Sequence, residues 1–212
     1  MKVISTNIGD RTSITHKGDQ VDTGIFKYPV QQALKLELTD VVGDTVIDRR
    51  YHGGEDKACY LYSTDHYKLW KSFYPELDWQ WGMFGENLSV KGLEESVLFI
   101  GDIFRLGTAL VQISQPRQPC FKLGIRLKNP KAVKQFVEME KPGAYVRVLE
   151  KGEVSVGDTF KLVDQKQTSF SLQQIFHLIY NASDNISEVN RAIDIPELAE
   201  SCRNDLRKYA KL

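Results

Sequence analysis

The sequence has few of the features that mark secreted, membrane-bound or nucleic-acid-binding proteins. Three widely spaced cysteines are too few, and odd in number, for a disulfide framework. No apolar run is long enough for a signal peptide or a membrane span. Basic and acidic residues balance at 28 each, so no net positive field favours nucleic acid or membrane surfaces. These absences predict a cytoplasmic protein with free thiols that binds neither duplex nucleic acid nor a membrane.

Residues 1 to about 164 have the pattern of short strands separated by turns. Apolar residues alternate with polar ones over strand-length segments, at 34–38, 111–113, 145–148 and 160–163. Gly-Asp pairs beside such segments are typical of turns, since Gly adopts positive φ and Asp hydrogen-bonds its own backbone. They occur at 43–44, 101–102 and 157–158. Two helices are expected among the strands, one beginning near Ser63 or Asp65 and one at Pro130.

The pattern changes after Asp164, where helical spacing replaces alternation. Ser171 and Gln174 form a capping-box sequence, and an apolar stripe of helical period follows it. A short helix is expected over about 186–193, and a third from Pro196 with Cys202 on its inner face. The sequence therefore predicts two units: a mostly β domain at 1–164 and a small, semi-independent three-helix domain at 165–212.

The distribution of charge singles out one segment. No Asp or Glu occurs between Asp102 and Glu138, but seven cations do: Arg105, Arg117, Lys122, Arg126, Lys128, Lys131 and Lys134. Cys120 lies in the middle of this segment, after two prolines that stiffen the loop. Nearby cations favour the thiolate, which is the form that acts as a nucleophile or metal ligand. Cys120 is therefore the leading candidate for chemistry, against the alternative of a structural cysteine on a solvated basic face.

Two other motifs contain glycine and polar side chains. His52-Gly53-Gly54-Glu55-Asp56-Lys57 combines backbone that an anion can approach with two cationic side chains. Phe84-Gly85-Glu86-Asn87-Leu88 offers an amide and a carboxylate that can read a heterocycle. Taken alone, the first motif is more often an ordinary turn, and the second is weak evidence beside a glycine turn that leads into a strand.

The remaining cysteines are expected to be structural. Cys59 falls in a strand that is predicted to be buried, and Cys202 falls on the apolar stripe of the last helix. A zinc site formed by His52, Cys59 and Cys120 stays open, although its spacing matches no common zinc pattern.

Taken in order, these motifs resemble those of the MOSC domain proteins. The series runs from His52-Gly53-Gly54 with Lys57, through 84–88 and Gly101-Asp102, to the segment 115–120. The match is closest to the stand-alone YiiM-like branch, and it covers roughly the whole chain because that branch also carries a C-terminal three-helix domain. The resemblance implies a mostly β, barrel-like fold with peripheral helices, plus a small all-α domain. One departure is Val41-Val42 before Gly43-Asp44, where the family usually has a glycine-rich segment.

The resemblance also implies an activity and a cofactor. It implies a molybdenum cofactor (molybdopterin) whose metal is bound by Cys120, the catalytic residue, and reduction of N-hydroxylated compounds such as hydroxylamino purines. The other implied cofactor-binding residues are His52, Gly53, Gly54, Lys57, Asn87, Arg117 and Gln118. Pyridoxal phosphate is not expected, because the chain has no domain for it.

An oxidoreductase of this kind needs an external electron-donor protein of flavin, haem or iron–sulfur type, because the sequence has no motif for such a group. Two other interpretations stay open. One is a protein that carries the cofactor or its sulfur without turnover, and the other is a structural β domain whose basic loop meets a partner. The sequence leaves both a monomer and a homodimer open.

Overall fold

The computed structural model describes residues 1–47, 53–166 and 170–210. In these ranges the strands are β1 (Lys2–Gly9), β2 (Thr12–His16), β3 (Asp19–Thr23), β4 (Lys27–Val30), β5 (Leu34–Leu36), β6 (Cys59–Ser63), β7 (Leu88–Lys91), β8 (Ile103–Leu106), β9 (Ala109–Pro116), β10 (Ala144–Glu150), β11 (Gly152–Val154) and β12 (Phe160–Asp164). The α-helices are α1 (Tyr67–Phe73), α2 (Phe121–Arg126), α3 (Lys131–Met139), α4 (Leu172–Tyr180), α5 (Ile186–Ile193) and α6 (Glu200–Arg207). Short 3-10 turns occur at Glu55–Lys57, Thr64–His66 and Ala182–Asp184.

Eight strands form one mixed sheet in the order β12-β8-β9-β10-β6-β7-β1-β4. Its pairs are antiparallel except for β6 and β7, which are parallel. A bridge between Lys2 and Thr159 brings the β12 end of the sheet towards β1. The hairpin β2–β3 and the pair β5–β11 lie outside this sheet. The predicted sheet-rich fold with several helices is confirmed, while the barrel form stays a prediction.

The strands follow the alternation in the sequence with one exception. The segments 111–113, 145–148 and 160–163 lie inside β9, β10 and β12, as predicted. The strand predicted at 34–38 is two residues too long, since β5 ends at Leu36 and Leu38 is 46% exposed. The chain turns here because Glu37 N donates to Asp40 O at 2.8 Å. The Gly-Asp turns are confirmed by positive φ at all three glycines.

The predicted helices are present, but the start of one of them differs from the prediction. Tyr67 and Trp70 of α1 and Tyr74 directly after it are buried, and Pro130 directly precedes α3, both as predicted. The capping box of Ser171 and Gln174 is present at the start of α4. The third C-terminal helix begins at Glu200 rather than at Pro196, because Ala199 is extended and its N–H donates to Ser114 O of β9 at 3.1 Å. The sequence did not predict α2. No described helix has the length and apolar character needed to cross a membrane.

The C-terminal helices share their core with the sheet. One cluster of buried side chains contains Ile113 of β9 together with Ile175 of α4 and Cys202 and Leu206 of α6. A second cluster is largely aromatic and packs α1 and α3 against the other face of β6. The boundary between 1–164 and 165–212 stays a prediction, since one continuous core crosses it.

Candidate functional site

A pocket of about 640 Å³, partly open to solvent, lies at the ends of β6, β9 and β10. Its walls come from the segment 23–27, the loop 44–47, the 53–60 segment, Gly85, Asn87, Tyr145 and the segment from Arg117 to Lys122. Five predicted site residues line it: Gly53, Lys57, Asn87, Arg117 and Cys120. The fold therefore brings three motifs that are distant in sequence to one cavity.

Cys120 lies between β9 and α2 and is partly exposed. Its backbone is extended, with φ −127° and ψ 173°, and its carbonyl accepts a hydrogen bond from Leu123 N at 2.9 Å. The other two cysteines are fully buried and do not line the pocket. Burial raises the pKa of the Cys202 thiol to about 12, and burial likewise raises the pKa of Cys59. Of the three thiols, Cys120 is the one that a ligand in the pocket can reach, as the sequence predicted.

Arg117 is buried in the wall of the pocket, with 4% of its surface exposed. Its guanidinium carbon lies 4.8 Å from the centre of the Tyr60 ring, and Nη1 donates to Phe84 O. Nε is buried and has no hydrogen-bond partner among the described residues. Burial lowers the pKa of Arg117. Tyr60, Tyr145 and Cys120 raise it by more than burial lowers it, so the net pKa lies above its ordinary value. The side chain is thus a permanently charged group held rigidly beside Cys120.

Lys57 ends the 3-10 turn that follows the glycine pair. Burial lowers its pKa, and this is opposed by the nearby Cys202, Asp56 and Asp205. A buried cation with a lowered pKa gains stability when an anion is brought close to it. Lys57 is therefore suited to bind an anionic group in the pocket.

The structure does not place three of the predicted cofactor-binding residues in the pocket lining: Gly54, Gln118 and His52. Gly54 does not line the pocket, and its N–H donates to Thr39 O at 3.0 Å. Gln118 does not line it either, and its Nε2 donates to Asp205 Oδ2 on α6 at 3.2 Å. His52 lies outside the described residues. A cofactor role for these three residues stays a prediction.

Asn87 belongs to a buried polar network on one wall. Its Oδ1 accepts from Tyr60 N at 3.1 Å, and its Nδ2 donates to Asp44 Oδ2 at 2.9 Å. Asp44 also forms an ion pair with Lys27 and accepts from Gly9 N at 2.9 Å. The side chains of Lys27 and Asp44 are only 8% and 4% exposed. Asn87 therefore holds this buried ion pair in place at the pocket wall.

Sequence reasoning missed several residues of the pocket. No sequence motif marked Lys27 or Tyr60 as a site residue, and the sequence placed Tyr145 only in a strand. Asp44 was identified as part of a Gly-Asp turn, and its place in a buried ion pair depends on contacts distant in sequence. Glu86 was a candidate for ligand recognition, but its carboxylate accepts from Gly82 N, Phe84 N and Ser89 Oγ and so organises its own loop.

The C-terminal segment supports the pocket from behind. Glu200 N donates to Asp56 Oδ2 at 2.9 Å, and Ser201 Oγ donates to Gln115 Oε1 at 3.1 Å. Asp56 also accepts from Arg147 Nε at 2.6 Å. Both motifs that carry pocket cations are thus tied to the start of α6.

The described residues offer no metal site made from the protein alone. Within 1–47, 53–166 and 170–210, no group of three or more His, Cys, Asp or Glu side chains could hold a metal ion. Cys59 is buried in β6 and is not among the residues that line the pocket with Cys120. The described part of the chain thus supplies a metal at Cys120 with no further cluster of protein ligands.

More than half of the chain matches a known domain family. The MOSC domain family matches residues 48–161, which is more than half of the chain. The chain belongs to the MOSC domain family.

Three relatives extend the similarity beyond that segment. The uncharacterized protein YflK of Bacillus subtilis is 36% identical over 206 residues, which cover 97% of this chain and 93% of YflK. The crystal structure of YiiM from Geobacillus stearothermophilus matches with a TM-score of 0.83 and 33% identity, covering 99% of each chain. A reductase of Gibberella moniliformis is 31% identical over 182 residues, but the match spans only 32% of that protein. The similarity to a YiiM structure confirms the predicted YiiM-like MOSC protein.

Proposed function

We propose that this MOSC protein binds a molybdenum–pterin cofactor through Cys120 and reduces N-hydroxylated compounds. The observation that carries the proposal is the placement of Cys120. It is the thiol that lines the pocket, and Lys57, Arg117 and Lys122 line the same pocket. The curated relative with the name reductase supports an oxidoreductase, although it extends well beyond the part that this chain matches.

The residues present fit such a cofactor. Molybdenum held by the sulfurs of a pterin dithiolene is matched by one further soft sulfur ligand, and the described pocket offers one thiol and no cluster of protein ligands. The cofactor's phosphate requires cations, which Lys57 and Lys122 supply. The buried Nε of Arg117 has no partner in the described chain and is a further donor. The donor set thus suits an anionic, sulfur-rich ligand.

The charged side chains of the pocket wall indicate where an anionic group of the cofactor would bind. Asp44 is paired with Lys27, and three further cationic side chains line the pocket: Lys57, Arg117 and Lys122. An anionic phosphate is expected beside these three cations. When bound, the cofactor supplies the two-electron redox chemistry that converts N–OH to N–H with release of water, using two protons. The electrons are expected from a separate flavin, haem or iron–sulfur protein.

The test combines metal content with turnover. The full chain is expressed in a cofactor-replete host, its molybdenum is measured by mass spectrometry, and reduction of 6-hydroxylaminopurine is followed with a chemically reduced viologen. We expect about one molybdenum per chain and formation of adenine.

Other results would favour the other interpretations. Bound molybdenum with no reduction of any N-hydroxylated compound would indicate a carrier of the cofactor or its sulfur. No molybdenum from a cofactor-replete host would contradict the proposal and favour a structural β domain. Zinc at one ion per chain would restore the zinc alternative.

A further inference from the structure

Tyr145 lines the same pocket, and its ring is fixed by neighbouring strands. The residue is in β10, where it pairs with Tyr60 of β6 on one side and Gln115 of β9 on the other. Its ring packs on that of Tyr60 with the centroids 5.0 Å apart. Two strands and a neighbouring ring therefore fix the position of the side chain.

The hydroxyl of Tyr145 makes no hydrogen bond with the part of the chain that the structure describes. Other wall groups are engaged: the Tyr60 hydroxyl donates to Pro142 O at 2.8 Å, and Asn87 is bonded at both ends of its amide. The Tyr145 oxygen is not among the buried polar atoms without a partner, so solvent reaches it. Since the residue is only partly exposed and lines the pocket, its free donor is available to a ligand there.

The surroundings of this hydroxyl indicate which ligand group it suits. Burial raises the pKa of Tyr145; Arg117 opposes this rise, and Cys120 and Asp44 add to it. The phenol therefore keeps its proton in neutral solution and acts as a hydrogen-bond donor. A phenol donor can bond a neutral oxygen as well as an anionic one, and a phosphate is expected beside the cations Lys57, Arg117 and Lys122. Cys120 lines the same pocket, so the hydroxyl and the proposed reacting centre face one cavity.

We propose that Tyr145 is a substrate-binding residue whose hydroxyl donates a hydrogen bond to the oxygen of the N-hydroxyl group. The assignment rests on the proposed function. The bond would hold the oxygen that leaves as water when the N–O bond is broken, and the amine product lacks that oxygen. The pocket would therefore distinguish the N-hydroxylated compound from its reduced product at Tyr145.

The test compares two ligands that differ in this oxygen. Oxidised, cofactor-loaded protein without an electron donor is titrated calorimetrically with 6-hydroxylaminopurine and with adenine, so that no turnover occurs. Tyr145→Phe keeps the ring packing on Tyr60 and removes only the hydroxyl. The matched control is Tyr180→Phe, because Tyr180 lies on α4 and does not line the pocket.

The wild-type protein is expected to bind 6-hydroxylaminopurine more tightly than adenine. Tyr145→Phe should reduce that preference by about two- to tenfold, the range for one neutral hydrogen bond, with unchanged molybdenum and adenine affinity. Tyr180→Phe should keep the preference.

Three results would overturn the assignment: an unchanged preference in Tyr145→Phe, an equal loss of affinity for both ligands, or loss of molybdenum from this variant. A molybdenum-loaded wild-type protein that reduces N-hydroxylated compounds without preferring 6-hydroxylaminopurine over adenine also overturns it, while leaving the proposed function intact. Failure of the proposed function shows separately, as absence of metal or of reduction in the wild-type protein.

Discussion

The pocket wall and the C-terminal helices meet behind Cys120, and they contribute different things to the site. The wall places a thiol, three cationic side chains and a tyrosine hydroxyl around one cavity. The segment from α4 to α6 lines none of that cavity in the described residues. Its contacts are with the backbone and side chains behind the wall, including Ser114, Gln115 and Asp56. Ligand-facing groups and the groups that hold them thus come from separate parts of the chain.

This difference shows that a segment outside the pocket can still set its geometry. Ser114 and Gln115 immediately precede the Cys120 loop, and Asp56 immediately precedes Lys57. Each is hydrogen-bonded to the segment 199–201. Because both motifs are anchored to the same helix start, the separation of Cys120 and Lys57 depends on α6 as well as on the sheet.

The largest effect is expected from Cys120→Ser. Serine nearly preserves size but offers a harder, far less ionised ligand, so turnover and any thiolate-to-molybdenum absorption band should be lost. The unfolding temperature should stay close to that of the wild type, because Cys120 is partly exposed. Activity assays, absorption spectra and thermal unfolding give the answer.

The matched control is Cys202→Ala on α6, which leaves no unpaired hydroxyl in the core. This variant should stay active and lose on the order of 1 kcal/mol of unfolding free energy. Full activity in Cys120→Ser would contradict the mechanism, and lost activity in a folded Cys202→Ala would mean that α6 takes a direct part in chemistry.

Removal of residues 165–212 is the next most severe change. The helical pattern of this segment predicts a semi-independent unit, yet Ile175, Cys202 and Leu206 share one core with Ile113 of the sheet. We expect residues 1–164 to be insoluble or to lack cooperative unfolding, since large apolar areas of the sheet would be exposed. Solubility, circular dichroism and molybdenum content measure this. A soluble, folded 1–164 fragment that keeps its molybdenum would restore the two-unit division.

The sequence identified residues of the pocket better than it identified the contacts behind them. Cys120, Arg117 and Lys57 line one pocket, and they were chosen because a gap in acidic residues and adjacent glycines are local signals. Their role in cofactor binding stays a prediction. Most strands and the start of α4 were also found from local alternation and capping. The predicted Leu38 strand end and the helix start at Pro196 were wrong, since a turn at Asp40 and a hydrogen bond to Ser114 decide them.

The remaining pocket residues depend on contacts that no short pattern encodes. Lys27 and Asp44 are 17 residues apart and form a buried pair, and Asn87, a further 43 residues away, donates to the same carboxylate. Tyr145 lies in an ordinary alternating strand, and its position over Tyr60 follows from the pairing of β10 with β6. Sheet register, which is a property of the whole fold, therefore decides these residues.

A moderate effect is expected when one pocket cation is neutralised. Lys57→Met keeps the side-chain length and removes the charge proposed to bind the cofactor's phosphate. Loss of a charge-assisted hydrogen bond costs about 1.5–3 kcal/mol, so the cofactor should dissociate roughly ten- to a hundredfold more readily. Lys128→Met is the matched control, because Lys128 is an exposed cation of the same acid-free segment and does not line the pocket.

The measurement is molybdenum content after gel filtration, together with activity per bound metal. Metal content should fall in Lys57→Met while activity per metal changes little, and Lys128→Met should match the wild type. Full metal with collapsed turnover would assign Lys57 to the chemical step instead.

Arg117→Ala should show the same loss of metal together with lower stability, because the Arg117 guanidinium also bonds Phe84 O and packs on Tyr60.

The smallest effect is expected from the contact between Gln118 and Asp205. This contact joins the segment before Cys120 to α6, so it tests whether the C-terminal helices act on the pocket through that segment. The Asp205 side chain is 40% exposed and its bond from Gln118 is 3.2 Å long, so either alanine variant should cost only about 0.5–1 kcal/mol of unfolding free energy. If Gln118 acts through α6, Gln118→Ala and Asp205→Ala should each lower molybdenum retention by no more than a few-fold, and the double variant should add little to either. Metal content and denaturant unfolding of the three variants form the cycle. A tenfold or greater loss of molybdenum in Gln118→Ala, without any in Asp205→Ala, would instead make Gln118 a direct cofactor ligand, as its position beside Cys120 in the sequence suggests.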